Sequence, residues 1–573
     1  MPRARPDMSL RSTSDQRPRN ASLYASLLGA LFAALVTLPG LGVGTLWDNS
    51  ETAYGEVARE VVLSHDWTVM HLNAQPWFVQ PPLYFWIAAL FGKMFGFSAF
   101  ALRLPSALAT IAMGGAVGYA TARISGSRAG TTAAIVLSTS LMQAIVGRLA
   151  IMDALLDLTV AAAVLWWYRA FEPSGTERRR DTAFVCGALA LAIGTLTKGP
   201  VAPVVTVLVI GLWAGWEYRA GRLAAPRRRA VVLALAAYAV VTLPWFIALA
   251  VRTGPDALVQ LIGHYTFGRY TGVIENQRGP IWYYLPVLIL GFFPWIAFVP
   301  VAAVSAVRDA RDRDGAFARF ALTWAIVPLV FFSFASTKLP NYIALLLPAL
   351  AILVALWFER VANGGSRRGA IWSAATIPLF VGMVAVAIAI FSRNNSLELD
   401  FAAVKPQLDI LGITMLAGGI LTVVALARRK TASWSPYVLA LTSGLLVLFI
   451  ACIAVPTAEQ LKPIPPLAKL IEAREQPGDA IVIRGVSGGN ALMFYTHPPI
   501  LDITGSDQAF ITAICPFTPA WVVTRPGDID RLAAVTHRMG RSFEVITRRP
   551  SEHPRAALLH IYGHPCPTDN DAR

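Results

Sequence analysis

The sequence predicts an all-α polytopic membrane protein with about thirteen transmembrane helices and a small C-terminal periplasmic α/β domain. Three observations carry that prediction. Of 573 residues, 55% are apolar and 14% charged, and the mean hydropathy is +0.54, a composition suited to lipid as solvent. Apolar runs of roughly 17–23 residues recur, each long enough to cross ~30 Å of hydrocarbon. From about residue 456 those runs stop, and a Pro-rich linker leads into short alternations of strand and helix patterning.

Residues 1–20 are rich in Arg, Ser and Pro and read as a disordered cytoplasmic tail. The first run, 23–43, lacks a small-x-small cleavage site and reads as an uncleaved signal anchor. Further runs centre on 101–121, 129–147, 152–171, 182–197, 199–218, 229–252, 281–304, 317–335, 340–358, 369–391, 408–427 and 434–455. An additional stretch, 81–97, is settled by arginine placement, because Lys and Arg concentrate in cytoplasmic loops. Basic clusters lie at Arg3 to Arg19, Arg123 to Arg128, Arg178 to Arg180, Arg219 to Arg229, Arg308 to Arg319, Arg367 to Arg368 and Arg428 to Lys430. All fall on one side only if 81–97 does not cross. Its Pro81-Pro82 start and its aromatic content suit an interfacial helix.

The domain organisation that follows is a membrane unit over 21–455, with a first periplasmic loop at 44–100 holding two juxtamembrane helices, and a periplasmic domain over 456–573. In that domain Ala480–Arg484 reads as a strand, and AWVVTRPGDIDRLAAV as strand, turn and helix. The formal net charge of +15 reports orientation and anionic inner-leaflet lipid. No groove-reading motif accompanies it, so nucleic acid is not an expected partner. Cys186 and Cys452 lie in apolar runs and read as packed thiols; Cys515 and Cys566 share the outer domain, where an oxidising compartment permits a disulfide. The eight histidines show no HExxH or CxxC spacing, so no protein-built metal site is expected, although a divalent cation could accompany a phosphate donor.

With this topology the unusual polar residues crowd onto the outer face. In LWDNSETAYGEVAREVV, residues Tyr54, Val57, Ala58, Val61 and Val62 recur at helical spacing and would lie on the bilayer, leaving Glu51, Glu56, Arg59 and Glu60 as an acidic face. Asp48 and Glu51 form a capping-box-like start, and either could serve as a base or steer an acceptor beside a bilayer-delivered substrate. Asp153 and Asp157 stand at i and i+4 at an outer helix end near Arg148, with which an ion pair is one possibility. Lys198 in TLTKGP and Lys338 in STKLPNY interrupt apolar sequence just before a proline. They could clamp a phosphate, or could be snorkelling lysines. Arg269 and His264 in GHYTFGRYTG add further cations. Asp312-Arg313-Asp314 looks like a nucleotide-sugar DxD but sits on an inner arginine-laced loop and reads as a solvated turn.

Taken together these segments resemble the GT-C glycosyltransferases of the protein O-mannosyltransferase superfamily, most closely the bacterial branch that contains the lipid A aminoarabinose transferase. A family segment W-x-P-D-E-T-x-Y-x-E is similar to Trp47 through Glu56. The family's MTKG resembles Thr197-Lys198-Gly199, its GKLPTY resembles Thr337 to Tyr342, and its WYY-P-PW run resembles Trp282 to Tyr284 with Pro286, Pro294 and Trp295.

The resemblance implies transfer of a sugar from a polyprenyl-phosphate donor to a lipid A-like or other envelope acceptor at the periplasmic face. Asp48, Glu51 and Asp153 would be the catalytic carboxylates. Lys198, Lys338 and Arg269 would hold the donor phosphate, and Tyr54, Glu56, His264 and Tyr342 would position acceptor or loop. Two departures stand out: the family's acidic pair falls on Ser50-Glu51, and its E-K-P before the second juxtamembrane helix is Val79-Gln80-Pro81. A protein O-mannosyltransferase-like enzyme is the alternative within the class. A polyprenyl-linked sugar flippase is the alternative outside it, and would call for mid-membrane polar residues and an internal repeat.

Overall fold

The computed structural model describes residues 19–47, 50–312, 315–393, 401–459, 462–496, 499–503, 505–517, 519–547 and 556–563. Asp48, Arg313, Asp314 and Cys566 lie outside the described residues, as does most of the N-terminal tail. Among the described residues ten helices are long and apolar enough to cross a membrane. They begin with α1 (Arg19–Thr37), and the bent pair Tyr284–Gly291 and Trp295–Asp309, which turns by 109°, would add an eleventh.

After α1 the chain forms α2 (Glu51–Ser64), the hairpin β1 (His71–Leu72) and β2 (Gln75–Pro76), and α3 (Leu83–Phe95). At 13 residues α3 is ~20 Å long, too short to cross the hydrocarbon. Next come α4 (Ala99–Ser125), α5 (Ser127–Ser138), α6 (Leu141–Val146), α7 (Asp153–Phe171), α8 (Glu177–Lys198), α9 (Val201–Arg219) and α10 (Arg228–Thr253). Helices α1, α4 and α5 approach closely because small residues line their seam. A methyl group on Gly29 would stand 2.6 Å from Ala134 Cβ and 2.9 Å from the Gly114 carbonyl oxygen.

Two expected continuous spans are broken. The run 129–147 divides at Ser138-Thr139-Ser140, whose hydroxyls donate to the carbonyls of Ala134, Ile135 and Leu137 and so compete with the helical ladder. Trp295 Nε1 and Ser443 Oγ then take up Thr139 from neighbouring elements. The run 281–304 bends at Phe292-Phe293-Pro294, where proline removes an amide donor.

Helix α2 also differs from expectation. Val57, Ala58 and Val61 are buried in protein rather than lipid, against Tyr84, Phe85, Ala88 and Leu102. Glu51, Glu56 and Glu60 on the other side are buried as well, so the helix presents no solvated acidic face.

From Ile464 the chain builds a five-stranded sheet of β3 (Ala480–Arg484), β4 (Ile500–Asp502), β5 (Ala520–Thr524), β6 (Ser542–Thr547) and β7 (Ala557–Tyr562). The order is β4-β3-β5-β7-β6, with β4, β3 and β5 parallel and β7 antiparallel to both its neighbours. Ile481, Ile483 and Trp521 face the helices Ile464–Glu472 and Gly489–Tyr495. Val482 and Val522, one residue out of phase, face the helices Asp507–Ile514 and Ile529–Arg538. Period-two alternation with both faces covered explains why these strands read as near-continuous apolar runs. Cys515 is disulfide-bonded, whereas Cys186 and Cys452 are free thiols.

This unit is tied to the first loop. Arg59 of α2 donates to the carbonyls of Met493, Phe494 and Thr496, Asn73 exchanges two hydrogen bonds with the backbone of Ile500, and the Tyr495 hydroxyl accepts from Leu46 N at 2.7 Å.

Candidate functional site

Helices α7 and α8 are antiparallel neighbours, so the start of one and the end of the other share a level. Asp153 opens α7 and Lys198 closes α8, each at the helix end whose dipole favours its charge. Their side chains meet, with Lys198 Nζ 2.6 Å from Asp153 Oδ1. Gly199, at φ +68°, turns the chain at once into Pro200 and α9.

A cavity of about 270 Å³ opens beside this pair. Its polar wall includes Asp153, Asp157, Lys198, Arg269, Tyr342 and Gln80, and its apolar wall includes Leu156, Val201, Val204 and Phe331. Lys198 Nζ lies 5.1 Å from the centre of the Tyr342 ring. Asp157 is 2% exposed and its Oδ2 has no hydrogen-bond partner among the described residues, so the cavity wall carries one uncompensated acceptor.

Arg269 reaches the cavity because its segment is sewn to the strand-like stretch before Pro340. Thr337 N donates to the Arg269 carbonyl, Ser336 N to that of Tyr270, and Lys338 N to that of Gln277, while the Arg278 and Thr337 backbones bridge. The guanidinium is flanked by Glu275 Oε1 at 3.1 Å and Gln277 Oε1 at 3.5 Å. Tyr54 of α2 packs edge-on against Trp77, Tyr84 and Phe85, and burial pushes its phenol up to about 12.

Several expected site residues are employed elsewhere. Glu51 does not line the cavity. It is 1% exposed and accepts four hydrogen bonds, from Arg103 Nε (2.8 Å), Arg103 Nη2 (2.9 Å), Trp47 N (2.8 Å) and Ala150 N (2.6 Å). A carboxylate with its acceptor capacity filled in this way joins α2 to α4. Lys338, expected at the donor phosphate, instead donates to the carbonyls of Phe332 (3.3 Å), Ser333 (2.8 Å) and Ala335 (2.6 Å). It thereby satisfies the open end of the helix Ala316–Phe334, and burial holds its ammonium below the ordinary lysine range.

Arg148 does not pair with Asp153. It donates to the carbonyls of Val36 (2.8 Å), Thr37 (2.7 Å) and Pro39 at the end of α1. Glu56 pairs with Arg59 Nη2 at 2.6 Å, and desolvation pushes its carboxyl up to about 7. His264 is exposed and stacks edgewise on Tyr265, outside the cavity lining.

Arg103, which decides the role of Glu51, did not stand out in sequence. A lone arginine in the apolar run ALRLPSALAT is the signal that marks it. Among the described residues no group of three or more His, Cys, Asp or Glu side chains could hold a metal ion.

Residues 79–247 match the family model for dolichyl-phosphate-mannose-protein mannosyltransferase. The undecaprenyl phosphate-alpha-4-amino-4-deoxy-L-arabinose arabinosyl transferase of Erwinia tasmaniensis is 32% identical over 63% of this chain, which spans 64% of that protein. The protein of the same name from Yersinia enterocolitica is 30% identical over 72% of the chain and 73% of its own length. In fold, the crystal structure of ArnT from Cupriavidus metallidurans bound to undecaprenyl phosphate superposes with a TM-score of 0.76 at 22% identity, covering 94% of this chain and 98% of that one. The fold is therefore ArnT-like, a mostly helical multi-pass membrane protein. By its 30% identity over 73% of the Yersinia enterocolitica protein's length, this chain belongs to the family of the undecaprenyl phosphate-alpha-4-amino-4-deoxy-L-arabinose arabinosyl transferases.

Proposed function

We propose that this protein transfers a sugar from a polyprenyl-phosphate donor to a lipid A-like acceptor at the outer face of the bacterial inner membrane. The observation that carries this reading is the buried Lys198–Asp153 pair, which opens with Tyr342 and Arg269 onto a cavity at the ends of membrane helices. In this reading the chain crosses about thirteen times, with its N-terminus cytoplasmic and residues 456–573 a periplasmic domain.

The donor phosphate sits against Lys198 and Arg269. As the bond to the anomeric carbon breaks, charge accumulates on the leaving phosphate, and two preorganised cations in a water-poor site stabilise it more than they stabilise the ground state. Asp153 holds the Lys198 ammonium at the cavity wall. The free Oδ2 of Asp157 accepts from a donor-sugar hydroxyl or amine. Displacement from the opposite face inverts the sugar centre, and an acceptor phosphate oxygen needs no strong base to attack. This agrees with Ser50 standing where the family has an acidic residue, and with Glu51 being fully engaged. Gln80, at the position of the family lysine, lines the same cavity, so its neutral amide leaves Lys198 and Arg269 to carry the phosphate charge.

The test is transfer of radiolabel from a panel of polyprenyl-phosphate sugars to lipid A by the purified protein in nanodiscs. Wild type should move label and Asp153→Asn should lose most of it. No transfer from any donor would overturn the reading.

A further inference from the structure

A second cavity, of about 570 Å³, lies away from the membrane helices, where the C-terminal sheet meets the first loop. Its volume falls in the range of small-molecule sites. Its position follows from topology. The chain leaves β3 through Gly485 to Gly488 into the helix Gly489–Tyr495, which covers one face of the sheet. It leaves the neighbouring parallel strand β5 through Arg525 and Pro526 toward the helix Ile529–Arg538, which covers the opposite face. Two adjacent parallel strands whose connections depart to opposite faces leave a crevice at their carboxyl ends, and open α/β sheets place ligands there. Both departing loops line this cavity. Gly485, at φ +69°, lets the first loop pass close to the Arg525–Asp528 turn; a methyl group at that position would sit 3.6 Å from Asp528 Oδ2 and 3.8 Å from Arg525 Nε.

The opposite wall is Trp47 with Lys462. The Lys462 ammonium is not available to a ligand. It donates to the Thr45 carbonyl at 2.8 Å and to Thr45 Oγ1 at 3.1 Å, pairs with Glu459 Oε2 at 2.9 Å, and lies 4.1 Å over the Trp47 ring. It therefore fixes the indole, which stays 38% exposed. Arg525 is exposed, and its guanidinium has no ion pair or hydrogen bond among the described residues. An immobilised aromatic face opposite an unpaired arginine suits a ligand with an apolar ring face and a bidentate oxyanion.

We propose that the crevice at the carboxyl ends of β3 and β5, walled by Trp47, binds a phosphorylated saccharide headgroup, with the sugar on the indole and the phosphate on Arg525. Resting on the transferase reading above, this is the docking subsite for the acceptor. It makes the C-terminal unit the part that holds the acceptor body while the reacting oxygen reaches the membrane cavity.

The experiment is calorimetric titration of the full-length protein in phosphatidylcholine nanodiscs with glucose 1-phosphate, with glucose, and with bisphosphorylated lipid A added to the disc. The variants are Arg525→Gln and Trp47→Leu, with thermal melting as the check on folding. Saturable binding of a phosphorylated probe, weakened about tenfold or more by Arg525→Gln and absent for glucose, is expected. Tighter binding of lipid A identifies a lipid-anchored headgroup; binding of glucose 1-phosphate alone identifies a soluble phosphosugar and removes the acceptor role. Equal affinity of wild type and Arg525→Gln for both probes, or no saturable binding, overturns the site.

Transfer kinetics separate this from the functional reading. An acceptor KM raised about tenfold at similar kcat in Arg525→Gln supports the subsite. An unchanged KM sinks the subsite and leaves the transferase standing. Binding by a wild type that transfers from no donor sinks the transferase and leaves the site.

Discussion

Glu51–Arg103 and Asp153–Lys198 are both buried carboxylate–cation pairs bridging two helices, yet they are finished differently. Around Glu51 every acceptor position is taken, by a bidentate arginine and two backbone amides, and Arg103 spends its remaining donors on the carbonyls of Leu41, Val43 and Thr45. Around Asp153 the shell is open: one contact to Lys198, a cavity beside it, and Asp157 four residues on with an unmet oxygen. A closed shell fixes geometry, because a saturated buried network has one arrangement. An open shell beside a cavity keeps hydrogen-bonding capacity for something that arrives. On the transferase reading proposed above, the completeness of the hydrogen-bond shell separates a strut from a working group where residue type does not.

The largest expected effect comes from opening that comparison at Lys198. In Lys198→Met, transfer should fall by about 10²–10³, the usual range for removing one preorganised charge stabiliser. Some stability is lost as well, since Asp153 is left unpaired. Adding Asp153→Asn should therefore restore melting temperature without restoring turnover. A double variant that regains both would make this pair a strut too, and the distinction would collapse.

Glu51→Gln should act on the fold. Arg103 would keep its backbone contacts but lose its buried carboxylate, and breaking such a pair costs about 3–5 kcal/mol. The measurements are folded yield and thermal melting in nanodiscs, with turnover expressed per folded molecule. Near-normal turnover of the surviving fraction is expected. Unchanged melting together with abolished transfer would return Glu51 to the catalytic group. Lys338→Met removes a three-carbonyl cap and should cost about 1.5–3 kcal/mol, as hydrogen bonds to a charged donor do. Donor KM should stay within about twofold. A donor KM raised about tenfold at unchanged stability would place Lys338 at the phosphate after all.

These assignments show which physical signals a sequence carries. That α3 does not cross was legible, because basic-cluster parity and Pro81-Pro82 both bear on it. β3 was legible to the residue, since a short apolar run bounded by Asp479 and Gly485 has few alternatives. Lys198 and Asp153 were legible as charges at apolar helix ends. Lys338 was not distinguishable from Lys198, because a lysine before proline reads the same whether it caps a helix or faces a cavity; the difference is a side-chain direction. The closed shell of Glu51 was not legible because its partner lies 52 residues away in a different helix. The division of 129–147 escaped because hydropathy averages over Ser138-Thr139-Ser140 and does not register hydroxyls competing with the backbone.

Glu56 provides the smallest and most selective perturbation, because it stands between the two extremes. It is fully buried like Glu51, but it meets a single cation, Arg59, and has Glu60 beside it on the same helix. Desolvation outweighs Arg59 and lifts its carboxyl from 4.5 to about 7. The sign follows from linkage. The folded state binds this proton more tightly than the unfolded state, so the stability it contributes is full below about 4.5 and is lost as pH rises through about 7. The wild-type protein should therefore lose about 2–3 kcal/mol between pH 5 and 8 that Glu56→Gln does not lose. The loss should be read at the contact where Arg59 holds the carbonyls of Met493, Phe494 and Thr496, as faster hydrogen exchange in the helix Gly489–Tyr495. Identical pH profiles for the two proteins would mean that Arg59 offsets the desolvation of Glu56. A single arginine would then be enough to close a buried carboxylate's shell, and the open shell at Asp153 would no longer follow from its having one cation.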